Sequence, residues 1–81
     1  MDLKSIVLVA IDFLKVTNQK IFDIRLEEIR QSRRKNYMVT LGYSVNVGYD
    51  IDMACYVFER VYVQCIISPE KKVISMKVRE Q

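Results

Sequence analysis

Apolar residues near the start of the chain recur at steps of three and four, the spacing of an amphipathic helix. This stripe predicts a helix over about residues 3–17 and consists of Leu3, Ile6, Val7, Ala10, Phe13 and Leu14. Asp2 is placed to cap the helix, because its carboxylate can accept hydrogen bonds from the free N–H groups of the first turn. Further apolar residues make the stripe wider than one small sheet can bury: Leu8, Val9, Ile11 and Val16. We therefore expect part of the helix to meet a long loop or a partner chain.

The following segment alternates apolar and polar residues and predicts a first strand over about residues 21–31. The apolar residues that share one predicted face are Phe22, Ile24 and Leu26. Ile29 is out of phase with them. A β-bulge near Glu27 and Glu28 would return Ile29 to the core side, and without a bulge Ile29 points outward. As neighbours on a strand, the two glutamates are expected to point to opposite faces, which does not suit a paired acid and base.

The most regular alternation covers residues 37–47 and predicts the second strand. Gly42 interrupts its middle, which indicates a bend or a close approach of another backbone segment. Residues 48–59 then show no clear period, and Gly48 and Asp50 favour an end to the strand. We interpret this segment as the long irregular loop of the fold.

The last part of the chain predicts a β-hairpin with strands over about residues 56–67 and 73–80, and Pro69 belongs to its turn. Two registers can be drawn for it. A five-residue loop sets Gln64 against Met76. A four-residue loop, 68–71, separates apolar from polar residues better and is preferred. Its apolar pairs are Cys65 with Ile74, Val63 with Met76, and Val61 with Val78.

The resulting order is helix, strand, strand, strand, strand. Short connections between consecutive strands favour antiparallel neighbours. We therefore predict a single α+β domain over residues 1–81, in which one N-terminal helix packs on a four-stranded antiparallel meander sheet. About half of the residues are apolar, which excludes a disordered chain.

Net charge and cysteine content indicate which partners and which cellular environment to expect. The formal net charge is +3, which permits an acidic partner without itself indicating nucleic acid. Two cysteines, Cys55 and Cys65, are too few for a secreted disulfide framework, so we expect free thiols in a reducing, cytoplasmic setting. The apolar run at residues 6–11 is too short for a signal peptide or a membrane span, and we expect no membrane association.

The chemistry expected of an enzyme is missing from the sequence. The chain has no histidine, so serine–histidine and cysteine–histidine nucleophiles and most zinc sites are excluded. It has no glycine-rich phosphate-binding loop. Asp50 and Asp52 form an Asp-x-Asp pair that could hold a hard cation with other oxygen ligands, but a solvated loop is the simpler interpretation. We predict a protein that is not an enzyme and has no metal, cofactor or small-molecule substrate.

Two groups of residues remain as candidate binding surfaces. The first is apolar and lies in the irregular segment: Tyr49, Met53, Tyr56 and Phe58. Aromatic residues and methionine are enriched in interface cores, so this group predicts contact with another protein or a second copy of the chain. The second group is basic and indicates weak nucleic-acid binding as the alternative function: Arg33, Arg34, Lys35, Lys77 and Arg79.

Three stretches, IFDIRLEEI, YMVTLGYSV and KVISMKVRE, together with FLKVTNQKIFD, resemble the small cystatin-like or PepSY-like α+β domains of short bacterial proteins. The chain departs from that pattern in residues 48–59 and in its SPEKK turn, where an Asp- or Gly-containing turn is usual. The resemblance implies the same fold, no active site, and a role in inhibition or protein contact. It assigns no role to any individual residue here, since fold alone does not determine function.

Overall fold

The computed structural model describes residues 3–18 and 20–79, which form one helix and four strands. Their bounds are α1 (Leu3–Thr17), β1 (Ile21–Gln31), β2 (Tyr37–Asp50), β3 (Cys55–Ile67) and β4 (Val73–Arg79). The strands form one antiparallel sheet in the order β1-β2-β3-β4. The predicted α+β meander is therefore confirmed. The predicted cap Asp2 and the end of the last predicted strand at residue 80 lie outside the described residues.

The core lies between α1 and one face of the sheet, which we call the inner face. The helix buries Ile6, Ala10 and Leu14 completely, one residue per turn of a single stripe. The sheet contributes alternate residues of its two central strands: Tyr37, Val39, Leu41 and Tyr43 from β2, and Val63, Cys65 and Ile67 from β3. The opposite side of the sheet, the outer face, carries no helix among the described residues.

Strand β1 contains two bulges, of which the sequence indicated one. The predicted bulge is present at Glu27, and Ile29 packs against the core. The second lies between Phe22 and Arg25, so Phe22 pairs with Ser44 on the outer face. The prediction that Phe22 shares a face with Ile24 and Leu26 is therefore wrong, because an extra residue in a strand reverses the phase of its side chains.

The predicted register of the β3–β4 hairpin is also wrong. Ile67 pairs with Val73, which corresponds to the five-residue loop that the polarity argument rejected. A register shift at Ile74 then sets Gln64 opposite Lys77 and not opposite Met76. The bulge thus removes the mismatch that counted against this loop, and it leaves Ile74 exposed. The pairs that replace the predicted ones are Cys65 with Met76, Val63 with Val78, and Tyr62 with Arg79.

All three hairpin turns within the described residues end on a residue in the left-handed region. These residues are Lys35 (φ 64°), Ala54 (φ 52°) and Lys71 (φ 66°). In the last turn, Lys71 N donates to Ser68 O at 2.9 Å and Ser68 N donates to Lys72 O at 2.8 Å. A β-turn followed by a left-handed residue is a common hairpin connection, and glycine usually occupies the last position.

We expect Lys71→Gly to stabilise the protein. A side chain in the left-handed region costs about 1–2 kcal/mol, which glycine avoids, although glycine also gains freedom in the unfolded chain. The expected net gain in the free energy of unfolding is about 0.5–1 kcal/mol, measured by urea denaturation. The matched control is Lys72→Gly, at a neighbour without a positive φ, which should give no gain. Equal effects of the two substitutions would contradict the interpretation.

Cys65 is a fully buried free thiol in the centre of the core, whereas Cys55 is free and exposed. Burial raises the pKa of Cys65 from 9.0 to about 11, because a thiolate cannot be solvated there. The folded state therefore keeps the proton of this thiol over a pH range in which the unfolded state releases it. The stabilisation is complete below pH 9 and is lost as the pH rises toward 11.

The raised pKa of Cys65 predicts that this one side chain makes the free energy of unfolding depend on pH. Between pH 9 and pH 11 it should lower the free energy of unfolding by up to about 1.4 kcal/mol per pH unit. Cys65→Ala lacks the thiol, so its stability should fall less steeply, and the difference between the two proteins should shrink with pH. Urea denaturation at pH 8 and pH 10.5 measures both slopes. Parallel pH profiles would show that Cys65 does not titrate as described.

Candidate functional site

The segment interpreted as an irregular loop, residues 48–59, instead continues β2 and begins β3. Its last residues, 56–59, lie in β3, where the predicted third strand also has them. The two strands pair up to Asp50 and Cys55, and a short turn joins them. Strand β1 stops pairing with β2 at Val45. Beyond that point the two central strands form a two-stranded ribbon, residues 46–58, which we call the arm. Contrary to the sequence prediction, Gly48 does not end the strand, because it lies in a bulge within the strand.

The arm extends past the helix because of the lengths of the elements. Helix α1 has 15 residues and spans about 22 Å at 1.5 Å per residue. Strand β2 has 14 residues and spans about 46 Å at 3.3 Å per residue. The helix can therefore cover only about half of the central strands. The molecule is correspondingly elongated, with extents of 51 × 23 × 17 Å.

The bulge at Gly48 determines which side chains share a face of the arm. Gly48 has φ 155°, and its N–H donates to the Asn46 side chain at 2.9 Å. The extra residue shifts the phase of β2, so Tyr49 pairs directly with Tyr56. By alternation from Tyr62, Tyr56 belongs to the outer face. The bulge therefore brings Tyr49 to the outer face as well.

Two edge-to-face aromatic pairs follow one another along the outer face of the arm. The rings of Tyr49 and Tyr56 have centroids 5.1 Å apart, and those of Phe22 and Phe58 are 5.4 Å apart. Such pairs add about 0.5–1.5 kcal/mol beyond area burial. Although the rings contact one another, they remain largely exposed to water. The exposed fractions are 53% for Tyr49, 60% for Tyr56 and 56% for Phe58.

The structure brings together all four residues of the apolar group predicted from the sequence. Tyr49, Tyr56 and Phe58 lie on the outer face, and Met53 lies in the turn, 72% exposed. Val57, which lies in the same segment, is exposed as well, and sequence reasoning left out three other exposed apolar residues at this end of the sheet: Phe22, Val47 and Ile51. The high apolar content of residues 47–58 was the available signal for two of them. Phe22 could not be found, because its orientation depends on the second bulge of β1.

In the turn of the arm, the Asp-x-Asp pair forms hydrogen bonds that stabilise the turn. One carboxylate oxygen of Asp50 accepts the backbone N–H groups of Asp52 at 2.9 Å and Met53 at 3.2 Å. This arrangement is an Asx turn, which asparagine and aspartate favour. Within the described residues, no group of three acidic, cysteine or histidine side chains is placed to hold a metal ion.

Charge is distributed unevenly along the long axis of the molecule. Residues 36–59, which include the arm, contain three acidic residues and no lysine or arginine. The opposite end carries the β1–β2 and β3–β4 turns side by side, since Tyr37, Ile67 and Val73 form one row across the sheet. These turns contain one acidic residue, Glu70, and five cations: Arg33, Arg34, Lys35, Lys71 and Lys72. The arm is therefore apolar and weakly anionic, and the far end is cationic.

The basic residues predicted as a nucleic-acid surface fall into two places. Arg33, Arg34 and Lys35 form the β1–β2 turn, whereas Lys77 and Arg79 lie on β4, opposite Gln64 and Tyr62. All five are exposed. A shallow depression of about 430 Å³ opens beside the β1–β2 turn, and its lining includes Arg30, Arg33, Met38 and Ile66.

Arg60 connects the base of the arm to β1. Its guanidinium donates to the backbone oxygen of Asp23 at 2.6 Å and to Ser44 Oγ at 3.1 Å. It also lies 3.3 Å from the Asp23 carboxylate and 3.8 Å from that of Glu27. Asp23 itself has φ 52°, so Arg60 supports a strained residue of the second bulge.

Gly42 provides the space that the Arg60 contacts need. A Cβ at this position would lie 2.9 Å from Glu27 Oε1 and 3.0 Å from both Arg60 Nη2 and Tyr62 Cε1. The groups that approach Gly42 closely are thus side chains and not the backbone that the sequence predicts. These contacts also show that Glu27 reaches the outer face. Glu28, which pairs with Thr40, lies there as well, so the prediction of opposite faces is wrong because of the bulge.

We expect Arg60→Ala to lower the free energy of unfolding by about 1–2 kcal/mol, because hydrogen bonds to a charged group are lost across three strands. The control is Arg25→Ala. Arg25 is 69% exposed and pairs with Asp23 of its own strand at 3.1 Å, so its loss should cost about 0.5 kcal/mol or less. Denaturation measures both values, and a larger loss for Arg25 would refute the role of Arg60.

No family model, curated protein or solved structure matches this chain. The resemblance to cystatin-like and PepSY-like domains therefore stays a prediction. Among residues 3–18 and 20–79, no helix is long and apolar enough to cross a membrane.

Proposed function

We propose that this chain is a small non-enzymatic protein-interaction module and that the arm is its contact surface. The observation that supports the proposal is the concentration of large exposed apolar side chains on the arm. The exposed large apolar residues at 46–58 are Val47, Tyr49, Ile51, Met53, Tyr56, Val57 and Phe58. Three of them, Tyr49, Tyr56 and Phe58, share the outer face, and an exposed apolar group of this kind is typical of interaction sites.

The form of the arm supports the same proposal. A two-stranded ribbon is only marginally stable in water, because neither of its faces is covered by a packed layer. A partner that packs against the arm would supply the missing layer. Tyrosine, phenylalanine and methionine, which are frequent in interface cores, are already placed where such a partner would lie.

A projecting ribbon also suits an inhibitor or a neutralising partner of another protein. The arm is narrow and extends beyond the helix, so it can enter a groove or pair with an exposed strand of a target. Its acidic residues, Asp50 and Asp52, and the adjoining Glu59 would favour a groove with positive charge.

A second candidate is weak nucleic-acid binding at the cationic end. It is favoured by Arg30 and Arg33, which lie beside Met38 and Ile66 in one depression. Arginine can contact phosphates while a base lies on an apolar floor. This candidate ranks second, because Arg30 is already paired with Glu28 and the net charge is only +3.

A capture experiment from source lysate tests both candidates. The triple variant Tyr49→Ser, Tyr56→Ser and Phe58→Ser should lose the captured protein and keep its fold, because these rings are exposed and contribute little to the core. The matched variant replaces Arg33, Arg34 and Lys35 by Ser and should keep the capture. Mass spectrometry with and without nuclease identifies what is bound, and circular dichroism checks the fold.

The outcomes separate the two candidates. Nuclease-resistant capture that depends on the arm supports the interaction module. Capture that disappears with nuclease, or that is lost only when Arg33, Arg34 and Lys35 are replaced by Ser, overturns the interaction module in favour of nucleic-acid binding. Unfolding of the arm variant would show that these rings stabilise the fold, and the proposal would then lose its main support.

A further inference from the structure

The backbone of the arm has one long open edge on the side of β3 that faces away from β2. The last β4 residue that pairs with β3 is Arg79, opposite Tyr62. Among the described residues, no strand pairs with this edge over residues 55–61. Open edges present unpaired N–H and C=O groups to which another strand can add.

The other edges of the sheet carry features that hinder strand addition. The β1 edge has two bulges and the charged residues Arg25 and Arg30. The β4 edge has the bulge at Ile74 and the charges of Lys77 and Arg79. On the β2 side of the arm, a bulge lies between Asn46 and Gly48. Bulges and charged residues are the usual protection against edge pairing.

The edge over residues 55–61, with the sequence CYVFERV, has no bulge on its own strand. Its pairing with β2 is regular from Phe58 to Val61, and the one shift nearby places the extra residue on β2. The segment contains no proline and no lysine, and its charged residues are Glu59 and Arg60. Arg60 is directed over the outer face toward Asp23 and Ser44, away from this edge. The edge is therefore regular and mostly apolar.

We propose that two copies of this chain pair antiparallel through this edge of β3, about a two-fold axis that passes close to Val57 or Phe58. The inference rests on the proposed function and names the partner of the arm as a second copy. The pairing continues the existing sheet beyond the end of β4. A two-fold axis makes the same strand serve both sides of the contact.

The side chains restrict the register to these two centres. In an antiparallel pair, opposite residues share a face, so a residue at the axis meets its own copy. An axis at Glu59 would oppose two identical carboxylates and is unfavourable. An axis at Phe58 places Phe58 opposite its own copy, and an axis at Val57 places Tyr56 opposite Phe58 of the second copy, so aromatic residues pair across the strands in both registers.

Charge complementarity favours a second copy over an unrelated apolar partner. In either register, the turn of one arm, which carries Asp50 and Asp52, comes to the end of β4 in the other copy. The last part of the chain there carries two exposed cations, Lys77 and Arg79, and the sequence that follows adds one anion, Glu80. The two-fold axis repeats the contact, so each acidic turn comes to a strand end with a small net positive charge.

Light scattering over a series of protein concentrations tests the pairing. We expect the mass to rise from 9.6 kDa to twice that value with concentration, because an interface below about 1,200 Å² gives a weak, reversible complex. Val57→Lys introduces a charge on the open edge and should remain monomeric. Val47→Lys, on the protected side of the same arm, should still dimerise.

Disulfide trapping tests the register. In a Cys55→Ser background, which leaves only the buried Cys65, cysteine is introduced by Val57→Cys, Phe58→Cys or, as a control, Tyr49→Cys. Oxidation should trap a dimer at position 57 or 58, where the residue meets its own copy, and not at 49. Circular dichroism confirms that each variant is folded.

A wild-type protein that stays monomeric at every concentration would overturn the inference, as would trapping at 49 that equals trapping at 57 and 58. Loss of the dimer in Val47→Lys to the same extent as in Val57→Lys would also overturn it, because adhesion of apolar arms would then explain the dimer. If the protein is monomeric but the arm still captures another protein, the proposed function stands and only the second copy is excluded.

Discussion

One helix cannot cover strands that are twice its length, and most features of this molecule follow from that constraint. Helix α1 buries the half of the sheet near the β1–β2 turn, where Ile6, Ala10 and Leu14 meet β2 and β3. The remainder of both central strands extends into solvent with its apolar residues exposed. Hydrophobic burial therefore stabilises one half of the sheet, and backbone pairing with cross-strand aromatic contacts maintains the other half.

The junction between the two halves depends on polar contacts. Arg60 reaches from β3 across β2 to the bulge of β1, over the space that Gly42 leaves open. A larger residue at position 42 would displace this guanidinium, and a regular β1 would not present the Asp23 oxygen to it. The glycine, the arginine and the bulge thus form one arrangement. It secures the base of the arm where the apolar core ends.

Regular alternation accounts for what sequence reasoning predicted well. The clear period of residues 37–45 and the helical stripe of α1 led to the α+β meander, and the phase of Ile29 indicated the bulge at Glu27. The errors lie where one inserted residue changes the phase: at Asp23, at Gly48 and at Ile74. In each case the position of the bulge depends on how the strand pairs with its neighbour. The spacing of apolar residues along one strand does not reveal that pairing.

The sequence by itself determined the class of the fold, the centre of the buried stripe of α1 and the absence of histidine chemistry. The predicted stripe also included Leu3 and Phe13, which are exposed, whereas Val9 and Ile11 pack against the core. The sequence also placed Tyr49, Met53, Tyr56 and Phe58 together in one segment, because composition and spacing are local properties. Only the tertiary structure decided that this segment is a paired ribbon, that Tyr49 and Tyr56 share a face, and that no strand within residues 3–18 and 20–79 pairs with its β3 edge. Those properties depend on where β1, β4 and α1 end relative to the central strands, and such distances between elements exist only in the folded chain.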